Sequence, residues 1–147
     1  MSAIVLDTGP LGILTNPNHT AIPIACRSWL AALLAAGRRV ILPEIADYEI
    51  RRELIRANLK SAVQLLDLLV FQVEYLPLTT AAMRLAAEFW AQARNAGTPT
   101  AVGAALDGDV ILAAQAATLG VPVEVATGNA AHLSPFVAAQ DWQTITP

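Results

Sequence analysis

Short apolar runs alternate with helix-like stretches along this whole chain. Ala3-Ile4-Val5-Leu6, Val40-Ile41-Leu42, Val73 to Leu76 and residues 121–126 read as strands. Between them, residues 22–36 read as a helix stopped by Gly37. Pro43 opens another that runs to about Asn58, residues 60–70 form the next, and Thr79 or Thr80 caps one that ends at Asn95 with Gly97 behind it. A brief helical piece follows the turn at Gly9-Pro10. Residues 98–106 read as a small-residue loop, and Asp107 or Asp109 starts a helix over Val110-Leu119 that Gly120 stops. Gln143-Thr144-Ile145 adds a strand in the tail. Strands that are wholly apolar, rather than alternating, are covered on both faces. Parallel strands need long crossovers, and right-handed helical crossovers stack on both sides of the sheet. The expectation is a three-layer α/β/α fold with a central, mainly parallel sheet. No linker, repeat or low-complexity tract divides residues 1–147, so one domain is expected.

Composition narrows the function classes. Hydrophobic residues make up 55% and charged residues 14% of the chain, yet no apolar run approaches the ~20 residues of a membrane helix. No signal-peptide pattern precedes the first strand. Cys26 is the only cysteine, which excludes an internal disulfide and a cysteine-based zinc site and suits a cytoplasmic setting. The net charge of −3 does not advertise a nucleic-acid partner. The distribution says more than the sum: six of the nine basic residues fall between Arg38 and Lys60, and none follows Arg94. No glycine-rich phosphate loop is present and no Gly-x-Ser-x-Gly elbow. Gly9 stands where a phosphatase of the Asp-x-Asp type needs its acid/base aspartate.

The acidic residues fall at strand-to-helix transitions. Asp7 is the first polar residue after a buried strand, equally readable as a cap or turn former. Asp107 and Asp109 flank Gly108 and have no basic neighbour in sequence. Two close carboxylates repel, so either a distant Arg reaches them or a metal does, and the pair leans toward a ligand pair. Glu49 lies on a helix face with Glu53, Arg56 and Lys60, bordered by Arg52, and its plain reading is a solvated face with ion pairs. Asn129 follows Thr127-Gly128 at a strand end and suits a turn. His19 and His132 read as isolated loop residues. Trp29, Trp90 and Trp142 read as core or core-edge residues.

Together these residues resemble the PIN-domain family, particularly the toxin nucleases of the VapC type. The resemblance spans nearly the whole chain. Ile4-Val5-Leu6-Asp7-Thr8 is similar to the family's opening strand and first acidic ligand. Val40-Ile41-Leu42-Pro43 through Glu49-Ile50 is similar to its second strand and helical Glu. Asp109-Val110-Ile111-Leu112-Ala113-Ala114-Gln115-Ala116 is similar to its Asp-x-x-Ile-Ala-Ala-x-Ala signature, and Thr127-Gly128-Asn129 to its Thr-x-Asn/Asp motif. The chain departs from the pattern where Asn129 replaces the more usual Asp.

The resemblance implies a ribonuclease that hydrolyses RNA phosphodiesters with Mg²⁺ or Mn²⁺. It implies catalytic roles for Asp7, Glu49, Asp107, Asp109 and Asn129. Asp7 and Asp109 would bind the ion directly, with Glu49 and Asp107 binding it or holding its waters, and Thr8 and Thr127 orienting ligands from behind. Arg38, Arg39, Arg52 and Arg56 are candidate phosphate contacts, with plain solubility the even-odds alternative. The resemblance further implies a neutralising antitoxin and a homodimer. A second reading is a PIN-like module that docks RNA or a protein with little turnover.

Overall fold

The computed structural model describes residues 1–97 and 103–147, with the side chains of 103–105 left aside. Five strands form one sheet: β1 (Ala3–Leu6), β2 (Val40–Pro43), β3 (Glu74–Leu76), β4 (Val123–Thr127) and β5 (Ala139–Asp141). All pair in parallel, in the order β3-β2-β1-β4-β5. Helices α1 (Thr8–Leu14), α2 (Ala21–Ala35), α3 (Glu44–Arg56), α4 (Lys60–Gln72), α5 (Thr80–Asn95), α6 (Gly103–Ala117) and α7 (Ala130–Leu133) flank it, giving the expected α/β/α arrangement.

The strand order matters for function. From β1 the chain builds outward to β2 and β3, then returns to the other side of β1 with β4 and β5. The reversal lies between β1 and β4, and ligands of open α/β sheets bind beyond the carboxyl ends of strands at such a point. Asp7 and Thr127 stand there. The register pairs Leu6 with Ala126, and the Asp7 amide donates to the Ala126 carbonyl at 3.0 Å.

Burial explains why the central strands form. Every residue of β1 and β2 is buried, and Ile4, Val5, Leu6, Ile41 and Leu42 are wholly so. Leu11, Leu33, Leu66 and Leu112 close over them from the helices. A smaller cluster of Ala86, Ala93, Leu106, Val110 and Ala114 joins α5 to α6. Trp29 and Trp142 are both buried and meet edge to face at 5.4 Å, and Trp29 Nε1 donates to the Ile145 carbonyl. Trp90 departs from the core reading: it is 40% exposed, with the Arg94 guanidinium over its ring.

Three boundaries correct the sequence reading. The helix expected to start at Asp107 or Asp109 already runs from Gly103, so both aspartates lie inside α6 rather than capping it. Of the loop expected over 98–106, residues 98–102 lie outside the described part. The tail strand is Ala139–Asp141, not residues 143–145: Trp142–Thr144 form a 3₁₀ turn whose first free amide is taken by the Asp141 side chain. Pro43 ends β2 and caps α3 from outside, with Glu44 the first helical residue.

Candidate metal centre at the sheet switch

Asp7 sits at the hinge between β1 and α1. Its Oδ1 accepts the Thr8 amide at 2.7 Å, capping α1, and its Oδ2 accepts the Thr127 hydroxyl at 2.7 Å. Thr127 Oγ1 in turn accepts the Asn129 amide at 2.9 Å. One buried hydroxyl therefore ties the end of β1 to the end of β4. Asp7 Oδ2 accepts this one bond and keeps a second lone pair. Thr8 approaches only Asp7 Oδ1, at 3.4 Å through its hydroxyl.

Glu49 reaches the same place from α3, and Asp109 from α6. Burial raises the Glu49 carboxyl above its ordinary pKa. Arg52, 3.9 Å away, opposes that shift, while the charges of Asp7 and Asp109 add to it. Asp109 is pushed up to about 6, chiefly by burial and then by the Asp7 charge, against a lowering pull from His132. These mutual effects place Asp7, Glu49 and Asp109 in one electrostatic neighbourhood. Asp109 Oδ2 is buried and has no hydrogen-bond partner.

Gly108 makes the approach of α3 and α6 possible. A Cβ at that position would stand 2.7 and 2.9 Å from the two Glu49 oxygens. Any side chain there would push the Glu49 carboxylate out of its seat. Gly9 has a related duty: a Cβ on it would meet the Gly128 nitrogen at 3.1 Å, so α1 begins tight against the turn after β4.

Not every expected residue joins the cluster. Asp107 precedes Asp109 by two helical positions, about 200° around the axis. It is exposed and lines a groove with Met83, Ala86, Trp90 and Val110, on the α5 side of α6. The proximity expected of Asp107 assumed a loop, and the helix removes it. Arg38 and Arg39 precede β2, at the opposite end of the sheet, about 13 Å away by the strand's rise. Arg38 donates to the Ser2 and Thr146 carbonyls and so ties the termini, and Arg39 is paired with Glu74. Arg52 and Arg56 do lie on the same helix as Glu49. Arg52 stacks over Tyr48, and Arg56 pairs with Glu53.

Two neighbours of these residues escaped the sequence reading. His132, on α7, stands 3.0 Å from Asn129 Nδ2 and 3.8 Å from Asp109 Oδ2 through Nδ1. Asn129 and His132 are three apart, a helical spacing that was the available signal. Gln115 is buried and bridges elements, accepting the Ile45 amide and donating to the Leu76 carbonyl. It braces the start of α3, the helix that carries Glu49.

The donor chemistry suits a hard divalent cation. The donors are carboxylate oxygens, one of them a buried acceptor with no proton to receive. Among the described residues, no three His, Cys, Asp or Glu side chains already close around a single point. Mg²⁺ asks less than that, since it uses one or two carboxylates and keeps several waters.

No protein-family model and no curated protein matches this chain. Solved structures do. A chain of the DNA-bound VapBC2 complex from Rickettsia felis superposes with a TM-score of 0.73 at 15% identity, over 95% of this chain and 98% of that one. A chain of VapBC-1 from nontypeable Haemophilus influenzae gives 0.67 at 17%, covering 97% and 99%. A chain of DNA-bound VapBC from Salmonella typhimurium gives 0.66 at 21%, again covering 97% and 99%. The fold is PIN-like. The PIN-like fold accounts for nearly every residue of each chain compared, so the resemblance seen in four short motifs extends to the architecture. Among the described residues, no helix is long and apolar enough to cross a membrane.

Proposed function

We propose that this chain is a Mg²⁺- or Mn²⁺-dependent endoribonuclease and the toxin of a toxin–antitoxin pair. The observation that carries this reading is the electrostatic neighbourhood of Asp7, Glu49 and Asp109 at the β1–β4 switch, with Asp109 Oδ2 buried and without a hydrogen bond. Burial, with the neighbouring carboxylate charges, raises Glu49 and Asp109 above the ordinary carboxylate range and costs stability. Such an arrangement is explained by a task and not by folding.

A bound ion would supply a water of lowered pKa and a positive charge beside the phosphate oxygens. Asp7 and Asp109 would hold it. Thr127 fixes the Asp7 carboxylate through Oδ2, so that its free lone pairs point in one direction. Glu49, seated against Gly108, would hold a water of that ion and take up its proton, the P–O bond to the leaving oxygen breaking as the new one forms. Arg52 and Arg56 continue outward along α3 and would meet the RNA backbone, beyond the cut phosphate.

Toxin–antitoxin complexes among the solved structures that share this fold support an antitoxin partner, and a homodimer and a cytoplasmic setting belong to the same reading. The test is cleavage of structured RNAs with Mg²⁺, Mn²⁺ or EDTA, by wild type and Asp109→Asn. Cleavage that needs the metal and is lost in the variant supports the reading. Undiminished activity in EDTA sinks it.

A second reading rests on position 129. Asn129 has no carboxylate, and its side chain bonds His132. A chain that binds RNA but gains no thermal stability with Mn²⁺ would be a docking module and not an enzyme.

A further inference from the structure

Helix α3 has no cap of its own. Pro43 stands at its N-cap and makes no side-chain hydrogen bond, while the first amides of any helix need a partner from outside it. The Ile45 amide finds one 70 positions away, where Gln115 Oε1 on α6 accepts it at 3.2 Å. Gln115 Nε2 donates to the Leu76 carbonyl at 2.9 Å. Each end of the carboxamide therefore meets a backbone group of fixed role, and only one orientation satisfies both. The Gln115 side chain is 1% exposed, so water cannot replace either bond.

The positions of these residues tie them to the site. Gly108 and Gln115 are seven apart on α6, close to two full turns, so they share a face about 10 Å apart. Ile45 and Glu49 are four apart on α3 and also share a face. The two helices thus meet at two points. At one, Glu49 lies against Gly108, which has no side chain with which to hold it. At the other, Gln115 grips the start of α3.

Resting on the reading of Glu49 and Asp109 as catalytic groups, we propose that Gln115 is a positioning residue that sets how far Glu49 stands from Asp109. The Gly108 contact limits how near α3 and α6 come but leaves them free to slide. Two directional hydrogen bonds at Gln115 remove that freedom. Gln115 touches no reacting atom; it acts through the α3 backbone, one turn before Glu49. A catalytic group misplaced by about 1 Å costs about a hundredfold in rate. The long, exposed side chains of Arg52 and Arg56 absorb a shift of that size, so a loosened α3 is felt in turnover and not in RNA affinity.

Gln115→Met keeps length and bulk and removes both bonds. Pulsed EPR between spin labels at Glu53→Cys and Ala117→Cys, both exposed while Cys26 is buried, reports α3 against α6 without any turnover. The Gln115 protein should give one narrow distance, and Gln115→Met a broadened or shifted one. In RNA cleavage Gln115→Met should lower kcat at least about tenfold and change KM less than about twofold. Adding Pro43→Ser supplies the missing local cap, because an N-cap hydroxyl accepts from the second or third helical amide and Ile45 is the second. The double variant should regain melting temperature while the distance stays broad and kcat stays low, and it carries both measurements if Gln115→Met alone does not fold. Unchanged distances without Gln115, or kcat regained with the local cap, would reduce Gln115 to a cap: the proposal falls and the nuclease reading stands. A wild type with no metal-dependent cleavage fells that reading, and the catalytic role of Gln115 with it.

Discussion

The Thr127 hydroxyl donates to Asp7 Oδ2 at 2.7 Å, across 120 positions of chain, and joins the two parallel strands between which the strand order reverses. The side chain is wholly buried and its oxygen also accepts the Asn129 amide. Thr127→Val keeps the shape and removes both bonds. It should cost about 1–3 kcal/mol in denaturant unfolding, because the bond from the buried hydroxyl to the Asp7 carboxylate is lost. Metal affinity should fall as well, since Asp7 loses its anchor, and Thr127→Ser should restore most of both. Equal stability of the Val and wild-type proteins would show the bond to be dispensable.

Asp109 should destabilise the ion-free protein at neutral pH. Its folded pKa is raised from 3.8 to about 6, so the folded state holds that proton more tightly than the unfolded state. Stability therefore falls as pH rises through this window, and Glu49, raised in the same sense, adds to the slope. Asp109→Asn should flatten the slope and stabilise the ion-free protein at pH 7.5 by about 1–3 kcal/mol. In a thermal melt that is a gain of several degrees, and the same variant should lose the gain that Mn²⁺ gives wild type. A variant that melts below wild type without metal would contradict this account.

Gly108→Ala separates folding from function. Alanine is the better residue within a helix by about 1 kcal/mol. Its Cβ, however, would stand 2.7 Å from a Glu49 oxygen, and the flexible carboxylate would yield. The melting temperature should hold or rise while metal-dependent cleavage drops at least about tenfold. Cleavage at the wild-type rate would mean that the seat of Glu49 is irrelevant to the chemistry.

The arginines divide by position. Arg38→Met should lower stability by about 1 kcal/mol, since the guanidinium bonds two carbonyls near the termini, and should leave RNA affinity unchanged. Arg52→Ala combined with Arg56→Ala should weaken RNA binding and reduce its salt dependence, with little effect on stability, because both side chains are exposed. Binding titrations at two salt concentrations decide between them.

What the chain discloses of itself follows from what each residue does locally. β1 and β2 are legible because every residue in them is apolar and buried, and Gly37 and Gly120 mark helix ends because each takes a positive φ. The start of α6 is not legible. Asp107 and Asp109 look like caps, while the residues that precede them are small and carry no helical periodicity. β5 is hidden because Ala139-Gln140-Asp141 lacks a β-like composition and gains its place by pairing with β4. Asp7 and Asp109 are legible by position. Glu49 is legible only through the family motif, since its own helix face offers it Arg52 as an ordinary partner. His132 is invisible as part of the site until α7 turns it toward Asp109. Arg38 and Arg39 look like a phosphate-binding pair in sequence, but β2 carries the chain's acidic cluster to the far end of the sheet from them.

The order of the strands also bears on the making of the protein. When a ribosome has added Asp109, all three carboxylates exist, yet β1 still lacks the neighbour that residues 123–127 supply. The hydroxyl that anchors Asp7 is made last, and α7 later still. A nascent chain with the full set of acids therefore lacks the hydroxyl that holds Asp7 until residues 123–127 have emerged and paired with β1.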